Sequence, residues 1–450
     1  MLGSFCGRGK PEPLEEYLRE FIDEMSQAMS AGVRLNELLT VSVQLECVIC
    51  DSVARAYIKQ IKGHAGYQGC DRCTVEGRRI SSNRTVFLSC TAPLRFDIDF
   101  RSKRDRRHHI GISPMEQLPI DMVRSFPVDP MHLVFLGVVK RIVGIWKSAD
   151  RNSGVRLSGA QMRQIESQLS ASTACLPLDF PRKCSSLQLH ERWKATEGRQ
   201  FLLYVGPVAL RHALPPKMYE NFMVLSSCIY VLSHPIYCRS MLSFVRPLIV
   251  RFIRQFKKLY GEDEVVYNVH VLSHLCDDVE KYGPLNKFWA FPFETFMRSI
   301  KRDVRGPKCP AAQVHNRMTE RVMAGISQTT TILHDDNNSQ LSYIPERGYC
   351  KVNNSWFISH LHPDNCVYYK SNPYLIDLII GPNAHCRQLQ QLRSLYKHAF
   401  PSTELMIFIA GGLSSVTTVI PLSDLFCKGF CVLYESQYFV FPILHTIRDS

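Results

Sequence analysis

No stretch of this chain is apolar for long enough to cross a bilayer. The most apolar region, Phe222 to Phe256, is broken by His234, Pro235, Arg239, Arg246, Arg251 and Arg254. The opening residues, MLGSFCGRGK, lack the apolar core of a secretory signal. Internal repeats and low-complexity segments are also missing, which excludes solenoid arrays and compositionally biased tails. Acid is in short supply: 41 Asp and Glu stand against 54 Lys and Arg, a net charge of +13 and a pI near 9.0. An excess of that sign favours a polyanionic partner, nucleic acid before an anionic membrane surface.

Cysteine, by contrast, is plentiful. The 17 cysteines are scattered, mostly in apolar contexts such as Cys47 and Cys50. That usage fits a reducing compartment, nuclear or cytoplasmic rather than secreted. With 45% hydrophobic and 10% aromatic residues the chain reads as globular. Its 450 residues suffice for two or three domains, or for one core domain with a large insertion.

The stretch Tyr267 to Arg305 organises the rest. It reads as a helix over about Val269 to Tyr282, stopped by Gly283-Pro284, and a second helix from near Pro292. His270 and His274 are one turn apart and so leave the same face, the way a helix hands two ligands to one tetrahedral metal. The plain alternative is a pair of packed or hydrogen-bonded imidazoles. The Cys70-x-x-Cys73 turn, flanked by Gly69 and Gly77, has zinc-knuckle spacing and supplies the other half of a closed Cys2His2 site.

In chain order, Leu14, Leu18, Phe21, Ile22, Met25 and Met29 recur at helical spacing, ending near Gly32. Val41 to Cys50 alternates apolar and polar and then turns apolar, which predicts a strand entering a buried sheet. Asp51 follows at its end, where Ser52 to Lys62 starts a helix; it is either a catalytic ligand or a plain N-cap. Arg78 to His109 is strongly basic, either a solvated loop or a phosphate-tracking surface, with short strands expected at Thr85–Leu88 and Arg95–Phe100. Pro114 to Arg124 predicts a short helix. Asp129-Pro-Met-His132 opens an apolar helix, Leu133 to Trp146, which Asp129 is placed to cap; His132 then reads as a core or capping histidine. Ser158–Ser170, Ala195–Leu210, Pro216–Leu232 and Tyr237–Tyr260 are predicted helices. Past about Asn337, short β runs at Glu404–Ala410, Ser415–Ile420, Gly429–Tyr434 and Tyr438–Leu444 alternate with turn residues.

Four blocks in this order, ICDSVARAYIKQIKGHAGYQGCDRC, FPVDPMHLVFLGVVKRIVGIW, YNVHVLSHLCDDVEKYGPL and FPFETFMRSIKRDVR, together resemble the transposases of cut-and-paste DNA elements. The nearest likeness is to the CACTA (En/Spm-like) group and its animal relatives. It covers most of residues 1–330 and continues more weakly to the C-terminus. The resemblance implies an RNase H-like core with an Asp, Asp, Glu metal triad and a helical insertion before the Glu. Asp51 then matches the second aspartate, with Asp129 as the alternative, and Glu294 matches the glutamate. Cys70, Cys73, His270 and His274 would hold a structural zinc that ties the insertion to the core. Asp51 and Glu294 would hold catalytic Mg²⁺ or Mn²⁺, which prefer oxygen ligands and activate the attacking oxygen of a phosphodiester exchange. Arg298, Lys301 and Arg305 on the Glu294 helix, with Arg104, Arg106 and Arg107 upstream, would follow the DNA backbone.

The expected fold is thus α/β plus an all-α insertion. Residues 1–125 form a partial RNase H-like core with the knuckle and 126–265 the helical insertion. Residues 266–335 return to the core, and 336–450 form a small C-terminal β domain. The family's first aspartate has no counterpart here, since the chain begins just before the helix at Leu14. The expectation is therefore a transposase-derived DNA-binding protein with impaired DDE chemistry. An open sheet edge would favour a homo-oligomer or pairing with a full-length transposase. The alternative is a domesticated DNA- or chromatin-binding protein, or an interaction scaffold, without catalysis.

Overall fold

Leu14–Ala31 forms the helix that its spacing predicts, and Gly32 ends it with φ 75°. Its apolar stripe, Leu18, Phe21, Ile22, Met25 and Met29, packs on Ile61, Phe100, Met115, Leu118, Met122, Val123 and Phe126. The structure, a computed structural model, describes residues 5–80, 84–150, 153–324, 342–344, 349–352 and 356–447. The chain divides into two compact units, residues 1–132 with 287–334 and residues 133–286 with 335–450. The whole is mixed α/β.

In the first unit, the strand expected over Val41–Cys50 is not formed. Only Thr40–Val41 pairs, with Val33–Arg34. The alternation itself is present: Val43, Leu45 and Cys47 are half-buried while Ser42, Gln44 and Glu46 are exposed. Leu45, Val48 and Cys50 pack on the core. What is missing is a neighbour. Among the described residues no second strand lies alongside to exchange ladder hydrogen bonds; the amide of Val48 donates instead to a distant carbonyl, that of Ser125, at 2.8 Å. Thr85–Val86 forms a two-residue ladder with Arg78–Arg79. The strand expected at Arg95–Phe100 is instead a short helix, Asp97–Arg101. Asp97 and Asp99 favour its N-terminal turn, and Arg101 closes an i,i+4 pair with Asp97 at 2.8 Å. Pro114–Gln117 is a single 3₁₀ turn with a Ser113/Glu116 capping box.

In the second unit the expected helices appear with small shifts of boundary. They are Val139–Ser148, Gly159–Ala174, Pro216–Ser233 and Leu242–Tyr260. π-Helical turns occur at two places: Met131–Val138 leads into Val139–Ser148, and Phe201–Val205 interrupts the predicted 195–210 helix. Gly198 lets that helix approach the earlier segment Met131–Val138, since a Cβ there would lie 2.5 Å from the carbonyl oxygen of Phe135. Among the described C-terminal residues, Ser342–Ile344, Tyr349–Val352 and Trp356–Ile358 pair as a three-stranded antiparallel sheet, and the strands after them curl into an eight-stranded one. Its strand order is Arg393–Ser394, Phe408–Ala410, Gln437–Pro442, Cys427–Tyr434, Cys366–Tyr369, Asn372–Ile380, Asn383–Gln390, Gly412–Pro421.

The helices at 133–286 and this sheet share a core. The Tyr230 hydroxyl donates to the carbonyl of Pro442 at 2.8 Å, and the Leu444 amide donates to the Tyr204 hydroxyl at 3.2 Å. Lys428 is fully buried, its ammonium held between Asp179, Asp364 and the carbonyl of Phe357.

Candidate metal and nucleic-acid site

Asp129 is the hinge of the first unit's polar site. It is buried, and four donors converge on it. Oδ1 accepts from the amides of Met131 at 3.0 Å and Ala290 at 2.9 Å. Oδ2 accepts from the amide of His132 at 3.2 Å and from the His132 ring Nδ1. A carboxylate offers about four lone-pair sites, and here the protein uses them all. Asp129 therefore caps one helix, as its place before Pro130 suggests. It also anchors Ala290, the residue that caps the helix Phe291–Asp303. That second bond spans 161 positions of sequence and places Glu294 beside His132.

His132 is 32% exposed, and its Nε2 lies 3.8 Å from Oε1 of Glu294, which is 61% exposed. The hydrogen bond from Nδ1 to Asp129 raises the His132 pKa, burial opposes it, and the charges of Asp129, Asp51 and Glu294 add to the rise. Asp51 thus acts on the same imidazole. It is also the N-cap of Ser52–Ile58, where its Oδ1 accepts from the Ala54 amide at 2.7 Å. The cap occupies one oxygen and leaves Oδ2 without a hydrogen bond among the described residues. The structure therefore brings Asp129, His132 and Glu294 together. It leaves Asp51 and Glu294, but not Asp129, with carboxylate oxygens open to a ligand.

Cys70 and Cys73 in the first unit, and His270 and His274 in the second, are all buried. The two sulfurs are 3.6 Å apart. A tetrahedral ion with Zn–S bonds of about 2.3 Å would set them roughly 3.8 Å apart, so the thiol pair fits such an ion. The set could hold a metal such as zinc. The helix carrying the histidines is not continuous: Tyr267–Val271 gives way to a 3₁₀ turn, Leu272–His274, before Leu275–Tyr282. Gly283, at φ 85°, stops it where expected.

The knuckle is held by residues that composition alone reads as surface charge. The Nε of Arg95 donates to the carbonyls of both Cys70 and Cys73, at 3.0 and 3.1 Å, while Asp105 holds its other end at 2.9 Å. Asp71, between the cysteines, is buried against Arg55 and Lys59, each at 3.0 Å. Burial would push its carboxyl up, but Arg55, Lys59 and Arg72 outweigh that and hold it well below the usual carboxylate range. Arg55, Lys59, Arg72 and Arg95 are thus structural cations. Of the arginines expected on nucleic acid, Arg104 pairs with Asp99 and Arg107 with Glu76, both at 3.0 Å, and Arg106 is exposed. Arg298, Lys301 and Arg305 are exposed on or just past the Glu294 helix.

Sequence reasoning placed His132 as a core or capping group and missed its contact with Glu294. The available signal was Asp129 three residues ahead of a histidine at a helix start. The decisive contact, Asp129 to Ala290, leaves no local trace. No protein-family model and no curated protein matches the chain.

Proposed function

We propose that this chain is a transposase-derived, DNA-binding protein whose Asp51, His132 and Glu294 serve divalent-cation chemistry on phosphodiesters. One observation carries the reading: Asp129 ties the Glu294 helix to His132, so that residues 162 positions apart in sequence, His132 and Glu294, meet with Nε2 and Oε1 3.8 Å apart. Support also comes from the exposed basic residues Arg298 and Lys301 on the same helix and Arg305 just past it, and from the four buried Cys and His side chains. On this reading the first unit is a partial RNase H-like core and the Cys/His set is its structural zinc site. When bound, divalent ions would supply Lewis acidity and an activated oxygen nucleophile. Asp51 and Glu294 would hold them, and the basic helix face would orient the DNA strand.

A second reading is favoured by the saturation of Asp129. With that carboxylate fully engaged, only Asp51 and Glu294 of the predicted acids remain for metal, which suits a protein that binds DNA without cutting it. One experiment separates the two: nicking of supercoiled DNA with Mg²⁺ or Mn²⁺, run beside DNA binding over a salt series. Nicking that Glu294→Gln abolishes supports catalysis. Salt-sensitive binding without nicking supports the second reading. Neither binding nor nicking overturns both.

A further inference from the structure

We propose that a cavity in the first unit binds one unpaired nucleotide: Phe96 stacks on the base, His108 accepts from its edge and Arg106 holds its phosphate. The inference deepens the reading above and rests on it. The cavity is about 740 Å³ and is lined by residues of the stretch 93–109 together with Thr74. Small-ligand pockets run from roughly 300 to 1,000 Å³. Its wall combines three chemistries. Phe96 stands 54% exposed there, a large apolar ring left to water. Of the four arginines in the wall, Arg95 is held by Asp105, Arg104 by Asp99 and Arg107 by Glu76; among the described residues Arg106 alone has no acid partner. His108 is fully buried. Its Nδ1 lies 2.6 Å from the carbonyl of Gln68, which can only accept, so Nδ1 carries the proton and Nε2 a lone pair. Nε2 is buried without a hydrogen-bond partner, and a buried acceptor left unmade is costly. Burial, with Arg95 nearby, pushes the His108 pKa down to about 3, so the lone pair persists at neutral pH.

A nucleotide answers all three features at once. It brings a flat face for Phe96, an N–H for Nε2 and one phosphate for Arg106. A simple anion would use Arg106 and leave Nε2 unanswered, and an apolar ligand would leave both. Every base carries an N–H on its pairing edge. Within a duplex that N–H is spent on the opposite base and the faces are spent on neighbours, so only an unpaired nucleotide can offer both to a concave wall. Stacking tolerates any base, so the site should discriminate little among them. The side chains of Arg104 and Arg107 are 79% and 66% exposed. Ion pairs that open to water contribute little, and both guanidinium groups can turn to the phosphates on either side of the bound nucleotide.

The test measures equilibrium binding of the full zinc-loaded chain to three fluorescent DNAs: a short single strand of mixed sequence, the same strand with every base removed, and the duplex. The base-bearing strand should bind about tenfold or more tighter than the abasic one. Phe96→Ala, a change at an exposed position, should erase that difference. Arg106→Gln should weaken both strands alike and lower the salt dependence of each by about one phosphate contact. His108→Phe keeps a buried ring but removes the acceptor, and should cost the base-bearing strand alone; if that variant does not fold, Phe96→Ala decides. An abasic strand bound as tightly as the normal one, or a difference that survives Phe96→Ala, overturns the pocket. Inorganic phosphate that competes as well as a deoxynucleoside monophosphate does the same. Competition by the monophosphate alone extends the site to free nucleotides, and competition by neither restricts it to a strand; both outcomes keep the base in the pocket. Salt-sensitive duplex binding without the base-dependent difference removes only this inference, whereas loss of all DNA binding removes the proposed function as well.

Discussion

Replacing Asp129 by Asn separates positioning from charge. The amide keeps one oxygen, which can still accept from Met131 and Ala290. Its NH2 then stands where Oδ2 met the amide and ring Nδ1 of His132. The backbone amide faces another donor, so one hydrogen bond to a charged group is lost, about 1.5–3 kcal/mol. The ring has an escape: Nδ1 can accept from the new NH2 if the proton moves to Nε2. The Asp129→Asn protein should therefore fold, be less stable by about 2–3 kcal/mol in urea unfolding, and show the opposite His132 tautomer by ¹⁵N ring shifts. With its first cause of elevation gone, the His132 pKa should also fall. In contrast, Asp129→Ala strands four donors and should cost about 3–5 kcal/mol. An Asp129→Asn protein that keeps the proton on Nδ1, or loses less than about 1 kcal/mol, would refute the accounting of four donors on this carboxylate.

Three further outcomes are expected. Lys428→Met leaves Asp179 and Asp364 buried and facing each other without a cation, and should destabilise the second unit by about 3–5 kcal/mol in chemical denaturation; replacing both acids by Asn in the same chain should recover much of the loss. Cys70→Ser should abolish stoichiometric zinc in elemental analysis of the purified chain and lower its melting temperature; unchanged melting would mean that the set is not a structural metal site. Acid should destabilise both units. Burial pushes the pKa of His108 down to about 3 and that of His234 to about 4, so both are neutral in the fold. Their contribution is complete above their ordinary value of 6.5 and is lost as pH falls from there towards 3. Melting curves at pH 7, 5.5 and 4.5 should fall stepwise, and His234→Phe should flatten the decline.

Local order was largely legible. The helix Leu14–Ala31 buries the stripe that its 3.6-residue spacing marks, and Gly283 stops the His270/His274 helix where a left-handed residue was expected. The four residues that could hold a metal were also legible, because Cys-x-x-Cys and a one-turn histidine pair are patterns that coordination geometry favours within a few residues. The limits lay where a partner far along the chain decides. Val41–Cys50 has the alternation of a strand, but alternation describes which side chains are buried and not whether another backbone lies alongside. Arg95 and Arg55 count as surface charge in any composition; only the folded chain sets one on the carbonyls of Cys70 and Cys73 and the other on Asp71. Asp129 reads locally as a cap, and it is one. That it also grips Ala290, and so turns His132 towards Glu294, was decided by the tertiary structure, because one carboxylate has more lone pairs than its own helix can fill.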